Sequence, residues 1–492
     1  MAIRFYNTLS NQVDEFKAIK PGEIGFYTCG PTVYDFAHIG NFRAFVFEDL
    51  LRRFLECSQY RVNHVMNLTD VDDKTIAGAL REKKSLSDYT QRYSAAFIED
   101  LKVLNCLLPS HQPRATEKIP IMLDLIQALV DQGAAYQNKG SVYYRVSNFK
   151  KYGKLSKKKL DMNISGASER VEADEYESKE EASDFVLWKG SKDGESEIGA
   201  AWDSPWGRGR PGWHIECSAM SMEALGHTFD IHAGGEDLIF PHHENEIAQS
   251  EASTGKDFVH YWLHCKFLLV DGEKMSKSKG NFYTLRDLIE KGFDPAALRY
   301  ALLSVHYRSP LNFTFEGVRE AGEMIRKMDD CYWHCLNRKM DTLRSLQLAH
   351  VPVDLARVVE LKKREILDSL GDDLNISLAI AHVGSLVKEV NTYLTENRLS
   401  SESLTEAVHF FEWLDTLLGL DISAVKLIPD AINDLMKKRS EVRQQVAADK
   451  TNKLLWSQSD QLRDEIQALG WIVKDGRPGE PSTLKIKRRK WD

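Results

Sequence analysis

Between Ile24 and Leu68 the chain carries a pattern that few folds satisfy. A short apolar run, Ile24 to Cys29, meets the turn dipeptide Gly30-Pro31. From Phe42 the apolar residues Phe42, Phe45, Val46, Leu50 and Phe54 fall at three- and four-residue steps, and a second apolar run, Arg61 to Leu68, ends at Thr69-Asp70. A helical period between two strand periods predicts strand, crossover helix and parallel strand, the opening of an α/β sheet. Ligands of such sheets sit beyond the carboxyl ends of the strands, which places Cys29, His38 and Thr69 in one crevice.

The rest of the chain reads as additions to that sheet. At roughly 150 residues per domain, 492 residues suggest about three domains. A hydrophobic content of 42% excludes a disordered chain, and a net charge of −8 excludes wholesale coating of nucleic acid. Seven cysteines without a regular framework fit a reducing compartment. The first ten residues hold no apolar core of signal-peptide length, and no uncharged run reaches the ~18 residues of a membrane span, so a soluble cytoplasmic protein is expected. From about Ala115 to Ser204 the sheet pattern is lost: a helix-like stretch Ile119 to Asp131, the run Val142-Tyr143-Tyr144, lysines Lys157 to Lys159 and an acidic run Glu169 to Asp184 read as an insertion with solvated charged loops. The sheet is expected to resume after Pro211, with a helix Trp213 to Leu225 stopped by Gly226, a strand Thr228 to His232, a Gly234-Gly235 turn and a helix with Pro241 at its first position. Beyond about Thr284 the pattern is nearly all helical. The stripe Ile376, Ile380, Val383, Val387, Val390 and Leu394 reads as helix packing, and Lys485, Lys487, Arg488, Arg489 and Lys490 with Trp491 read as a basic tail.

Two groups of residues carry chemistry. Cys29 at a strand end, Cys217 on a later helix, and His242 and Glu246 four apart on one helix face are residue types that ligate zinc. With 188 residues between the cysteines the spacing alone does not select this reading, and each cysteine by itself also reads as a buried small hydrophobe. The stretch His242-His243-Glu244-Asn245-Glu246 is not the His-Glu-x-x-His helix of zinc peptidases. The rival cluster Cys331-Tyr332-Trp333-His334-Cys335 lies in the helical half and reads as core or surface. The second group binds anions. His38-Ile39-Gly40-Asn41 opens a helix after a parallel strand, where free N–H groups and the helix dipole favour phosphate. Lys274-Met275-Ser276-Lys277-Ser278-Lys279-Gly280 is a loop able to fold over a triphosphate and neutralise leaving pyrophosphate. Alone it reads as a solvated loop; paired with the first motif it points to a nucleotide.

On these motifs the chain resembles the class I aminoacyl-tRNA synthetases. Their His-Ile-Gly-His and Lys-Met-Ser-Lys-Ser signatures are matched by His38 to Asn41 and Lys274 to Ser278. Within that class it is similar to the cysteinyl-tRNA synthetases, through Tyr27 to Asp35, Asn67 to Lys74, Gly212 to Met220, Phe240 to Glu246, His306 to Pro310 and Asp372 to Asn375, about three quarters of the chain. Two positions depart from the family: Asn41 replaces the second signature histidine, and Ala296-Ala297-Leu298-Arg299 stands where the helical-domain marker is Asp-Ala-Leu-Arg.

The resemblance implies an α/β fold: a Rossmann-like parallel-sheet catalytic domain with an inserted connective domain, followed by a C-terminal α-helical bundle. It implies boundaries of 1–114 and 205–265 for the catalytic halves, 115–204 for the insertion, 266–314 for a stem-contact region with the lysine-serine loop, 315–420 for the bundle and 421–492 for an anticodon-binding end. The implied activity is ATP-dependent activation of L-cysteine to cysteinyl-adenylate, then transfer to the terminal adenosine of tRNA(Cys). The implied zinc ligands are Cys29, Cys217, His242 and Glu246, the cysteine-binding residues Thr69, Trp213 and His232, and the ATP-binding residues His38, Gly40, Asn41, Gly234, Gly235, Asp237 and Lys277. His38, Asn41, Lys274 and Lys277 are the implied catalytic residues, with Mg2+ accompanying ATP and a monomer expected. Zinc would select sulfur, because a pocket alone separates near-isosteres only about a hundredfold; four protein ligands, however, resemble a closed site, so either the ion becomes five-coordinate or Glu246 yields. Two rival readings remain at this point: a ligase joining cysteine to an amino sugar, and a non-catalytic zinc- and RNA-binding descendant.

Overall fold

The computed structural model describes residues 2–158, 178–342, 353–423, 429–449, 451–475 and 482–486. The described chain divides into two compact units, one of residues 1–287, 302–314 and 368–376, the other of 288–301, 315–367 and 377–492.

The first unit is built on a four-stranded sheet in the order Val259–Cys265, Phe229–Gly235, Glu23–Thr28, Arg61–Met66, all parallel. The two central strands are sequence neighbours of the outer ones on opposite sides. The chain therefore leaves Glu23–Thr28 outward in one direction and Phe229–Gly235 in the other, and their carboxyl ends bracket a topological switch point. The crossover from Glu23–Thr28 to Arg61–Met66 is the helix Ile39–Cys57, whose Phe42, Val46, Leu51, Phe54 and Leu55 are buried. Gly30 follows the first strand because nothing larger fits: a Cβ there would stand 1.7 Å from the Asn67 carbonyl oxygen. Under the sheet, Tyr27, Val65, Phe229, Phe258, Val259 and Trp262 form one core with Cys217 and Ile247 from two helices.

The insertion has a sheet of its own, antiparallel, of Ala135–Asn138, Ser141–Tyr144, Phe185–Gly190 and Gly209–Pro211. The helix Ile119–Asp131 spans the predicted residues and packs Met122, Ile126 and Leu129 into a core with Val142, Tyr144, Leu187 and Trp188. Lys159 and residues 169–177 of the acidic run lie outside the described residues. The helix Trp213–Leu225 also occupies the predicted span, and Gly226 at its end has φ 91°.

Several expectations are corrected. The strand Phe229–Gly235 runs three residues past His232, because Gly234 and Gly235 stay paired with His264 and Cys265 instead of turning. The regular helix after it begins at Glu244, not Pro241. Phe240, as the residue before proline, is held extended at φ −140°, and Ile239–His243 forms a wide π-type turn ahead of the helix. Past Thr284 the chain is, as expected, nearly all helical among the described residues; the exceptions are Leu311–Phe313, parallel to Leu268–Val270, and the hairpin of Trp471–Lys474 with Thr483–Ile486. Lys485 belongs to that hairpin and not to a free tail. It is 4% exposed and reaches Asp329 at 3.0 Å and Asp330 at 3.2 Å on the long helix Phe315–Thr342. Lys487, Arg488, Arg489, Lys490 and Trp491 lie outside the described residues.

In the second unit the aspartate missing from the Ala296-Ala297-Leu298-Arg299 marker is replaced from upstream. Asp294 Oδ1 accepts from the Ala296 amide at 2.8 Å and the Ala297 amide at 3.3 Å, capping the helix Pro295–Leu303. Arg299, fully buried, donates from Nε to the Leu418 carbonyl at 2.6 Å, at the end of the helix Ser401–Leu418. Asp294→Ala should lower stability by about 1 kcal/mol or more, as a lost cap does, whereas Asp294→Asn should stay within a few tenths. Urea midpoints of the two variants check this; equal midpoints would remove the capping role.

Candidate active and metal site

Four elements converge on the switch point. Cys29 follows the strand Glu23–Thr28, Cys217 sits in the helix Trp213–Leu225, His242 lies in the π-type turn, and Glu246 is in the first turn of Glu244–Thr254. Ligand atoms of Cys29, Cys217, His242 and Glu246 all lie within 4.8 Å of one another, and a second set of Cys29, His232, His243 and Glu246 meets the same limit.

The geometry of the first set suits a tetrahedral ion. Cys29 Sγ and Cys217 Sγ are 3.7 Å apart, far beyond a disulfide. Two sulfurs each ~2.3 Å from a tetrahedral zinc would be about 3.8 Å apart. Cys29 Sγ stands 3.8 Å from Glu246 Oε1, and His242 Nε2 stands 3.0 Å from the same oxygen. His242 Nε2 is nevertheless buried without a hydrogen bond of acceptable direction, as expected of a donor atom aimed at a shared centre. The shell behind the ligands is in place. His242 Nδ1 meets His214 Nδ1 at 2.9 Å, leaving Nε2 as its ligand atom, and Glu246 Oε2 meets His232 Nε2 at 3.0 Å. A further chain runs from Thr8 Oγ1 to His264 Nδ1 at 2.7 Å, His264 Nε2 to His243 Nδ1 at 2.8 Å, and His243 Nε2 to Cys29 Sγ at 3.5 Å. Of the two sets, the one with both thiols is the softer donor set and the better match to zinc.

Electrostatics sharpen the cluster. Burial would raise the Cys217 thiol, but the Cys29 hydrogen bond and the His242 charge outweigh it and bring Cys217 down to about 6. Burial followed by the neighbouring Cys217 drives Cys29 the other way, so one thiol of the pair ionises first. Glu246 is held at about 2 against its burial by His232 and His242. Around the cluster, Tyr27 Oη, His232 Nδ1 and both carboxyl oxygens of Glu216 are buried without partners. Burial, then the Cys217 charge, raises Glu216 well above the carboxylate range.

The predicted cysteine-binding residues lie beside these ligands. Trp213 stacks on the His242 ring at 4.0 Å, Thr69 is 1% exposed and accepts from Asn67 Nδ2 at 3.1 Å, and His232 is fully buried. Gly234 and Gly235 end the strand that carries His232, and Asp237 is exposed on the short turn Glu236–Leu238.

At the neighbouring helix N-terminus the expected row of free amides is not found. His38 is the cap: its Nδ1 accepts from the Asn41 amide at 3.2 Å, and Asn41 Oδ1 accepts from the His38 amide at 3.1 Å. Ile39 donates its amide to the Tyr283 carbonyl at 2.9 Å, which leaves the Gly40 amide for a ligand. Asn41 in place of histidine thus closes a capping box. Burial lowers His38 to about 4, and because Nδ1 accepts, the proton of the neutral ring sits on Nε2. The lysine-serine loop lies against this cap. Lys277 Nζ is 2.8 Å from Asp35 Oδ2 and 5.1 Å from the Phe282 ring centre, and Phe282 meets the His38 ring edge-on at 5.1 Å. Gly40 makes room for the loop, since a Cβ there would come within 2.6 Å of Met275 Cε. Lys274 contributes through its backbone carbonyl, which accepts from Asn281 Nδ2 at 3.3 Å, while its side chain is exposed.

Tyr27, Asp35, His214 and His243 stand inside the family motifs but were given no role of their own, and His264 was not singled out. Asp35 is 242 residues from Lys277, and the histidines are scattered between positions 214 and 264. Periodicity carries no signal for such pairs; only the unusual density of histidine around Glu246 could have drawn attention.

Residues 15–323 match the family described as "tRNA synthetases class I (C) catalytic domain", and residues 366–423 match the "DALR domain". The chain is 46% identical over 480 residues to a cysteine–tRNA ligase of Protochlamydia amoebophila, covering 97% of both chains. It is 43% identical over 495 residues to a cysteine–tRNA ligase of Brachyspira hyodysenteriae, covering 99% of both. Among solved structures, Mycobacterium tuberculosis methionyl-tRNA synthetase in complex with methionyl-adenylate superposes with a TM-score of 0.59 at 15% identity, over 82% of this chain and 90% of that one. A ternary complex of an Agrobacterium radiobacter LeuRS with tRNA and LeuAMS gives a TM-score of 0.59 at 10% identity, over 83% and 86%. The last two likenesses concern the fold.

Cys217→Ser should lower the metal held by this set, by elemental analysis, to a small fraction of the parent's, because a hydroxyl does not replace a thiolate ligand; an unchanged metal content would remove Cys217 from the set. Because the folded His38 value lies below the ordinary 6.5, its ring should stay neutral as pH falls through 6.5 and gain its proton only near 4. A His38 Cε1–H chemical shift, assigned with His38→Gln, should be flat from pH 8 to about 5; an inflection near 6.5 would contradict the buried cap.

Proposed function

The chain belongs to the cysteine–tRNA ligase family of class I aminoacyl-tRNA synthetases, and we propose that the switch-point crevice is where it carries out that family's two steps. The cysteine carboxylate attacks the α-phosphorus of Mg·ATP, the bond to pyrophosphate breaks, and cysteinyl-adenylate forms. A ribose hydroxyl on the terminal adenosine of tRNA(Cys) then attacks the acyl carbon. AMP leaves, and the hydroxyl proton passes to a phosphate oxygen.

The observation that carries the reading is the meeting of Cys29, Cys217, His242 and Glu246 in one buried cluster of the sheet whose crossover helix is capped by His38. Those four residues would hold zinc. Zinc, when bound, supplies a soft acid that prefers the substrate thiolate to the serine hydroxyl, which a pocket of fixed shape separates poorly. His232 spans the cluster and the pocket: Nε2 holds Glu246, while the unpartnered Nδ1 is available to a polar group of the substrate. Thr69, whose hydroxyl accepts from Asn67 Nδ2 at 3.1 Å, is assigned to another polar group of the substrate, and Trp213, fixed by its stack on His242, forms a wall. Gly234, Gly235 and Asp237 are assigned to adenosine, Asp237 to the ribose hydroxyls.

At the phosphates, His38 acts as a neutral donor through Nε2–H, the Gly40 amide donates beside it, and Asn41 holds the cap rigid. Lys277 exchanges Asp35 for the oxygens of departing pyrophosphate. Lys274 holds the base of its loop. No covalent enzyme intermediate is required, so positioning and charge supply the rate. The DALR match and the near-complete coverage of tRNA ligases favour a tRNA acceptor over an amino sugar. The reading carries with it a cytoplasmic monomer, to be checked by sedimentation. Among the described residues, no helix is long and apolar enough to cross a membrane.

Cysteine-dependent ATP–pyrophosphate exchange, with serine as control and zinc measured in the same sample, tests the whole scheme; exchange driven equally by serine would sink it. Lys277→Ala should slow that exchange by about two to three decades. A rate within twofold of the parent would take Lys277 out of the transition state.

A further inference from the structure

The second unit holds a cavity of about 630 Å3 that the aminoacylation scheme does not use. Its volume lies in the range of sites for small organic ligands, ~300–1,000 Å3, and is too small for a docked helix. One wall is the helix Ile376–Thr395, which contributes residues from Ile380 onward, and facing it are Met324, Lys327 and Met328 of the helix Phe315–Thr342. Tyr300, Glu396, Leu418 and Leu420 complete the lining, the Glu396 carboxylate being paired with Arg398 at 2.9 Å, so the apolar part of the stripe read as packing is also a cavity wall.

The lining is graded along the helix. Ile380, Val383 and Val387 form an apolar stretch, Lys388 follows, and Asn391, Thr392, Thr395 and the Arg398-paired Glu396 lie beyond it. From Ile380 to Lys388 is eight residues, or about 12 Å of helix, the reach of an extended chain of about ten carbons. Lys327 and Lys388 are exposed, on opposite helices, and among the described residues neither has an ion-pair partner. Their charge stands out in a chain whose net charge is −8. Gly384 supplies a separate indication. It sits in mid-helix, where glycine is weaker than alanine, yet a Cβ there would meet nothing within 4 Å. Packing does not require the glycine, and it leaves the cavity open. The two methionines opposite give a wall that adapts to irregular apolar shapes.

We propose that this cavity binds an amphipathic monoanion, a medium-length acyl or aryl chain lying along Ile380, Val383 and Val387 with its acid group between Lys327 and Lys388. The site is independent of the cysteine and ATP crevice, and none of these residues belongs to the aminoacylation machinery.

Decanoate titrated into the full-length protein by calorimetry, with decanol as the uncharged control and an anilinonaphthalene sulfonate as the aromatic anion, tests the assignment. Decanoate should bind at one site per chain. Lys327→Glu with Lys388→Glu should weaken decanoate about tenfold or more and decanol less than about twofold. Gly384→Leu, a better helix former that fills the space, should weaken both by about tenfold or more while circular dichroism and cysteine-dependent exchange stay at parental levels. Comparison of decanoate with the sulfonate separates acyl from aryl ligands. The proposal fails if decanoate does not bind, if its affinity survives Gly384→Leu, or if charge reversal weakens decanol as much as decanoate. Concentration-dependent dimerisation abolished by Gly384→Leu would instead assign the groove to a second copy and would also overturn it.

Discussion

The pairing of Glu23–Thr28 with Phe229–Gly235 is the contact on which the site depends. Three register pairs, Phe26 with Ile231, Tyr27 with His232 and Thr28 with Ala233, join segments two hundred residues apart. They set Cys29 beside the strand bearing His232, and the helices Trp213–Leu225 and Glu244–Thr254 then bring Cys217 and Glu246 to the same spot. Parallel strands need a long crossover, so this arrangement cannot form locally. The insertion between the two halves is therefore tolerated as long as it returns the chain to the strand beside Glu23–Thr28, and its own antiparallel sheet and core make that return a folded one.

Burial then gives each charged group its behaviour. Burial leaves His38 neutral, whereas in the cluster neighbouring charges keep Glu246 ionised and draw Cys217 below its ordinary range. A neutral imidazole at the helix cap and an ionised carboxylate beside a lowered thiol in the cluster follow from what surrounds each group. The asparagine that replaces the second signature histidine belongs to the same cap: its side chain satisfies the His38 amide while its own amide satisfies the His38 ring.

Local pattern was enough for part of this and not for the rest. The helices Ile119–Asp131 and Trp213–Leu225 were legible to the residue, the second because a glycine ends it. The opening strand-helix-strand unit was legible because its periods change sharply. Pro241 misled, since a proline that opens a helix and a proline that follows an extended residue look alike in sequence. Four-residue strands such as Trp471–Lys474 are too short to stand out among helices. Cys29 and Cys217 carried no usable spacing; the motifs around them supplied the connection. The Asp294 cap escaped notice because its acceptor stands two positions before the four-residue marker, whose own first position is alanine.

The bond from the Ile39 amide to the Tyr283 carbonyl has a consequence for motion. It is a backbone link between the first turn of the helix and the segment that follows the lysine-serine loop, and it survives only while that segment stays docked. Each excursion of the segment exposes one identified proton to solvent, so deuterium uptake at Ile39 times the undocking of that segment from inside the chain, with no label attached.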